Sequence, residues 1–143
     1  MSNSGLQQVF FDQLTTSDGT KNAELGTERW SDGNKFVYVY NSSASNIVAN
    51  QAVAFEGYGF SVTPTTVAAK SMAGIAETAI ATLNYGWLTQ KGFCDATVTG
   101  TITANDVLDI NTTGGVLSDG TVNVQAYAVA DATSNVAKVY INL

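Results

Sequence analysis

From Ala73 to Leu117 the chain is a succession of short β-forming runs, each cut by Gly, Asn or Asp. Ala73-Gly74-Ile75-Ala76-Glu77-Thr78 leads to Tyr85-Gly86-Trp87-Leu88-Thr89-Gln90-Lys91-Gly92, and then to Ala96-Thr97-Val98-Thr99-Gly100-Thr101-Ile102. The stretch closes on Asp106-Val107-Leu108 and Gly114-Gly115-Val116-Leu117. Runs of this length and punctuation spell successive strands joined by tight turns. They build a surface and carry no recognisable reaction chemistry.

The flanking sequence repeats the pattern. Asp32-Gly33-Asn34 is a turn that feeds Lys35–Tyr40, the strongest strand signal in the chain. Phe36, Tyr38 and Tyr40 fall on one face and Val37 and Val39 on the other, so both faces want cover and the strand is expected to be central. Ala52–Phe55 follows a turn at Asn50-Gln51, and Gly57 and Gly59 around Tyr58 predict a bend. A short run ends at Pro64, the only proline. Ala73–Glu77 is expected as a strand and Thr78–Leu83 as a helical turn. Tyr85–Lys91, Phe93–Thr99, Val107–Ile110, Thr121–Ala130 and Val136–Leu143 complete the strands. Ala73-Gly74-Ile75-Ala76-Glu77 echoes Ala126-Tyr127-Ala128-Val129-Ala130-Asp131, too briefly to define a repeat.

Residues 1–30 follow neither the helical nor the strand period. Val9, Phe10, Phe11 and Leu14, then Leu25 and Trp30, are apolar clusters separated by a polar stretch. The expected division is an N-terminal arm over 1–30 and a β-rich body over 31–143. Phe10, Phe11 and Leu14 are the candidate docking residues of the arm, expected to be loose in the free protein and dispensable for the stability of the body. Tyr38, Tyr40 and Trp87 are the candidate oligomer contact, because a strand apolar on both faces suggests a second copy as its cover.

With 143 residues the chain is long enough for one domain that buries roughly 68–70% of its unfolded surface. Only 13% of residues are charged, about half the usual share, with 6 Lys and Arg against 12 Asp and Glu. So few cations make a poor nucleic-acid binder. No apolar run is long enough to span a membrane as a helix, and the polar start lacks the pattern of a secretory signal. The absence of histidine excludes Ser-His-Asp and Cys-His catalysis and HExxH-type metal sites. The lone Cys94 builds neither a disulfide nor a structural zinc site and is expected to be a small buried residue. No catalytic, cofactor-binding or metal residues are assigned, and no cofactor is expected. Asp106 and Asp109 lie in an acid-and-amide segment with oxygen ligands for a cation but without the EF-hand spacing, so a turn beside a strand edge is the better explanation. Trp30, Tyr58, Trp87 and Tyr127 are the aromatics that a sugar-binding reading would use.

Asp32–Asn41, Ile47–Val53, Gly74-Ile75-Ala76, Tyr85–Gly92, Ala104–Leu108 and Val136–Leu143, in that order, resemble the capsid decoration (cement) proteins of tailed double-stranded-DNA bacteriophages over roughly residues 25–143. The longer insert at Glu56–Met72 departs from that pattern. The resemblance implies an all-β body, a single β-barrel or β-sandwich-like domain of many short antiparallel strands with an extended N-terminal arm. It further implies a non-enzymatic homotrimer that binds the major capsid protein on the outer surface of the virion and stabilises the shell, having been assembled in the host cytoplasm. The alternative is a carbohydrate- or receptor-binding module of a phage tail or fibre.

Overall fold

The computed structural model describes residues 14, 17–65, 72–110, 114–120 and 124–143. Among them there is no helix; ten strands form one mostly antiparallel sheet. The strands are β1 (Glu28–Ser31), β2 (Asn34–Asn41), β3 (Ala52–Phe55), β4 (Ser61–Pro64), β5 (Met72–Ala76), β6 (Tyr85–Thr99), β7 (Val107–Asp109), β8 (Leu117–Asp119), β9 (Val124–Ala128) and β10 (Val136–Asn142). The all-β expectation holds. The helical turn expected near Thr78–Leu83 does not form: Ile80 pairs with Ile47 in an isolated bridge, and Leu83 takes φ 61° where the chain turns back into β6.

The sheet closes on itself twice. β2, β4, β3, β5 and the first half of β6 are joined in a ring, because β6 returns to pair with β2. The second half of β6, with β8, β7, β9 and β10, is joined in another, because β10 returns to pair with β6. Each ring has one parallel pair, β2–β4 in the first and β6–β8 in the second, and every other pair is antiparallel. Closure removes the unpaired edges of the ring strands, leaving β1, which pairs only with β2, outside the rings. Sequence reading expected two strands where β6 is continuous; Gly92 lets one strand serve both rings, bending at φ 113°.

The two rings have the same topology, residue for residue. Ala52 faces Ile75 and Val53 faces Gly74, with a register shift before Ala54 meets Met72. Val107 faces Tyr127 and Leu108 faces Ala126, with the same shift before Asp109 meets Val124. The correspondence extends to the connections. Ile47-Val48-Ala49-Asn50 and Ile102-Thr103-Ala104-Asn105 both precede the second strand of their ring, and Asn50 and Asn105 both sit at positive φ, 69° and 76°. Asn50 N donates to Ala76 O at 2.6 Å, and Asn105 N donates to Ala128 O at 2.8 Å. Asparagine tolerates the left-handed region better than most residues. The molecule is thus a tandem pair of five-stranded barrels that share β6, and the echo between Ala73–Glu77 and Ala126–Asp131 is part of that repeat, displaced by one residue so that Gly74 matches Ala126.

Each barrel is filled by the inward residues of its strands, alternating as the pleat requires. Val37, Val39, Val53, Val62, Ala73, Ala76 and Leu88 fill the first, capped by Ile47 and Ile80. Cys94, Ala96, Val98, Leu108, Leu117, Ala126, Ala128, Val139 and Ile141 fill the second. Ala52, Met72 and Ile75 belong to strands of the first barrel but join the second core, which fuses the two. Main-chain bonds reinforce the junction: Thr97 N donates to Asn50 O at 2.8 Å and Ala52 N to Gly115 O at 2.7 Å.

Candidate interaction surface

Because β2 and β6 turn one face inward, their other face carries Phe36, Tyr38 and Trp87 on the outside of the first barrel. These rings are nevertheless buried. Leu14, Ala23 and Leu25 pack over them from the N-terminal segment. Gly26 N donates to Tyr38 O at 2.8 Å, Tyr38 N to Thr27 O at 3.0 Å, and Asn22 N to Tyr38 Oη at 3.1 Å. Asp18 and Tyr85 exchange backbone bonds of 3.1 and 2.8 Å further along. Tyr38 and Trp87 meet with ring centroids 4.9 Å apart, and the Arg29 guanidinium lies 5.9 Å from the Trp87 centroid.

This placement bears on the residues singled out from sequence. Tyr38 and Trp87 are expected at an oligomer contact because their strand is apolar on both faces; Leu14, Ala23 and Leu25 of the same chain pack on that second face. Tyr40 is half-buried at the rim, 4.9 Å from Tyr85. Leu14, expected in a docking arm, packs on the body. Phe10 and Phe11 lie outside the described residues. The sheet also reaches back beyond the expected boundary at residue 31, since Glu28–Ser31 pair with Asn34–Val37.

The exposed aromatics gather elsewhere. On the outside of the second barrel, β6 presents Phe93, β10 presents Tyr140 and β9 presents Tyr127, and the register places Tyr140 opposite both of the others. Phe93 and Tyr140 meet edge-on at 5.0 Å, and Tyr127 and Tyr140 are 5.3 Å apart. Phe93 is 54% exposed and Tyr127 47%. The row continues past Lys91, two residues from Phe93, whose ammonium lies 6.0 Å from the ring centroid of Trp30. Beside the rings Lys138 Nζ and Asp95 Oδ1 form an ion pair at 2.8 Å. A second aromatic feature is the turn between β3 and β4, where Tyr58 is 97% exposed between Gly57 and Gly59.

Of the four aromatics weighed for sugar binding, Trp30, Tyr58 and Tyr127 are exposed and Trp87 is buried. Phe93 and Tyr140 escaped the sequence reading, because they become neighbours only through the β6–β10 ladder. An alternating strand with a large ring at its polar positions was the available signal.

The charged groups make little chemistry. Lys21 pairs with Glu24 at 3.0 Å and Lys35 with Glu28 at 3.1 Å, so the described lysines are engaged by acids or, for Lys91, by a ring. No cluster of acids, cysteines or histidines able to hold a metal occurs among the described residues. Asp106 Oδ2 accepts from Thr103 N at 2.7 Å, tying down its own turn, while Asp109 is buried in β7. Burial, with the negative charges of Glu77 and Asp95 nearby, pushes the Cys94 thiol up to about 12, the opposite of what a nucleophile needs.

No family model and no curated protein sequence matches the chain. Among solved structures it is similar to the N base of the head fiber protein gp8.5 of bacteriophage phi29, with a TM-score of 0.58 and 15% sequence identity. The match covers 75% of this chain and 94% of that one. At this identity the likeness is one of fold.

Proposed function

We propose that this protein is a non-enzymatic structural component of a phage virion, which binds the outer surface of the capsid through the major capsid protein and stabilises the shell. The observation that carries the reading is the likeness in fold to the base of a phage head fiber. The exposed rings of Phe93 and Tyr127 on either side of the half-buried Tyr140, with the exposed Trp30 beyond Lys91, support it, because aromatic rings are enriched in the contact patches of protein interfaces. So does the absence of histidine, which removes the commonest acid–base group. Self-association, as a homotrimer, belongs to the same proposal, as does docking by the N-terminal residues Phe10 and Phe11.

The test is to add purified protein to capsids that lack it and to image the particles. Stoichiometric, ordered occupancy of the outer surface, with raised resistance of the shell to heat, is the expected result. Free capsids alongside unbound protein would overturn it. The second reading, recognition of a carbohydrate, draws on the exposed Trp30, Tyr58 and Tyr127; binding to host glycans with indifference to capsids would favour it.

A further inference from the structure

The seam between the two barrels shows how one end of such a barrel is used. There Asn50 O accepts from Thr97 N at 2.8 Å, Ala52 N donates to Gly115 O at 2.7 Å, and Gly115 N donates to Thr65 O at 3.2 Å. Gly115, at φ 78°, thus wedges its own N–H and C=O between the start of β3 and the residue that follows β4. A Cβ there would lie 2.9 Å from Ala52 O and from Gln51 Cβ, so the wedge has to be glycine. Gln51 secures it: Nε2 donates to Gly114 O while Oε1 accepts from Val48 N.

The second barrel repeats this end at β7 and β8. Thr65 N donates to Ala52 O at 3.1 Å in the first barrel, and Gly120 N donates to Val107 O at 3.0 Å in the second. A strand residue points its N–H and C=O to the same side, so the Val107 N–H faces this mouth as well. Val107 N, Gly120 O and Asn105 O, the counterparts of Ala52 N, Thr65 O and Asn50 O, have no partner among the described residues. Ala52 is fully buried, whereas Val107 is half-buried and Asn105 exposed. One side chain differs in kind. Asp106 stands in the place of Gln51, and its Oδ2 takes the bond from Thr103 N that Gln51 Oε1 takes from Val48 N. Where Gln51 also donates, an ionised Asp106 can only accept. Asp119 lies opposite Leu108, and Asp131 accepts from Ala104 N. None of these three acids is in a salt bridge among the described residues.

We propose that the mouth between β7 and β8 binds a glycine-bearing turn of a partner polypeptide that carries a lysine or arginine beside the glycine. The glycine bridges Gly120 O and Val107 N as Gly115 bridges Thr65 O and Ala52 N, a strand addition confined to one residue. The cation answers Asp106 and the acids near it. A second copy of this chain is the poorer fit. Its counterpart of Gly114-Gly115 is Gly59-Phe60, which sets a phenylalanine where the wedge has to be glycine. Phe60 O is also already engaged, by Tyr40 N at 3.0 Å.

The experiment follows amide exchange and peptide titration by NMR in the full-length protein. In the free protein the Val107 amide should exchange much faster than that of Ala52. The probe is the hexapeptide Thr-Lys-Gly-Gly-Val-Leu, the sequence of residues 112–117 with lysine in place of Thr113. It should shift the Val107 resonance saturably and slow its exchange. Peptides with alanine for the second glycine, or glutamate for the lysine, should bind about tenfold more weakly. Asp106→Asn, which keeps the bond from Thr103 N, should bind the lysine and glutamate peptides alike. A Val107 amide as protected as that of Ala52 in the free protein overturns the inference. So does the lack of a saturable shift with the lysine peptide, indifference to the alanine change, or a lysine preference that survives Asp106→Asn. Protection of Val107 that grows with protein concentration alone assigns the mouth to a second copy and also overturns it. The inference stands or falls independently of the capsid reading.

Discussion

The side-chain amide of Asn34 bonds twice to the backbone of Phe93: Nδ2 donates to Phe93 O at 2.9 Å, and Phe93 N donates to Oδ1 at 3.1 Å. The clasp sits at the bend where β6 passes from one barrel to the other. A Cβ on Gly92, which takes φ 113°, would lie 1.9 Å from Asn34 Oδ1. Asn34 therefore fixes both the bend and the direction of the Phe93 ring.

Gly92→Ala should destabilise the protein by about 1–2 kcal/mol from backbone strain alone, with a further cost from collision with Asn34. Asn34→Ala should cost about 1 kcal/mol, since water replaces part of the clasp. The collision with the Asn34 side-chain amide is absent when both are changed, leaving only a tight contact with its Cα at 3.1 Å, so the double variant should be less destabilised than the sum of the two. Urea melts of the four proteins measure the coupling; strict additivity would mean that the clasp does not hold the bend.

Gly74 and Ala126 occupy equivalent positions, yet only one accepts a methyl group. A Cβ on Gly74 would lie 2.7 Å from Thr89 O and 2.8 Å from Leu88 Cβ. Gly74→Ala should lower stability by about 1–3 kcal/mol through overpacking against a strand that cannot retreat. An unchanged denaturation midpoint would show that β5 and β6 have room to separate.

Removing residues 2–24 strips Leu14 and Ala23 from Phe36, Tyr38 and Trp87. Uncovering large rings costs roughly 1.5–3 kcal/mol for each one fully exposed. The truncated protein should melt well below the full-length protein, and its tryptophan emission should shift to the red. Melting within a degree or two would return this segment to the role of a dispensable arm.

Cys94 is buried and its thiol is pushed up to about 12, chiefly by burial. At pH 8 the thiolate fraction is on the order of one in ten thousand, and only the thiolate reacts. Ellman's reagent should therefore leave the folded protein unmodified for hours at pH 8 and label one thiol per chain at once in urea. Rapid labelling without denaturant would contradict the packing of the second core.

Burial and the charge of Asp95 raise the pKa of Glu77. A carboxyl whose folded pKa lies above its unfolded one contributes stability below the unfolded value, near 4.3, and loses it as pH rises through the folded value. Glu77→Gln removes that loss. The variant should melt slightly higher than the unmodified protein at pH 7, and the gap should close as pH falls below the carboxylate range. A gap that widens on acidification would reverse the sign.

The sequence by itself determined the secondary structure and the inward faces. Short β-forming runs punctuated by Gly, Asn and Asp admit little else, and the alternation in Val136–Leu143 names the buried side of its strand without reference to any partner. What alternation does not contain is the pairing of strands far apart in the chain. The closure of β2 onto β6 and of β6 onto β10, the parallel pairs β2–β4 and β6–β8, and hence the repeat, are long-range choices. The repeat left only Ile-x-Ala-Asn and one small-residue echo in the sequence, because a barrel constrains the size and polarity of its inward residues far more than their identity. Trp87 and Phe93 are both large rings on the outward face of the same strand. Only tertiary structure decides that Leu14, Ala23 and Leu25 help to bury the first and leave the second in water.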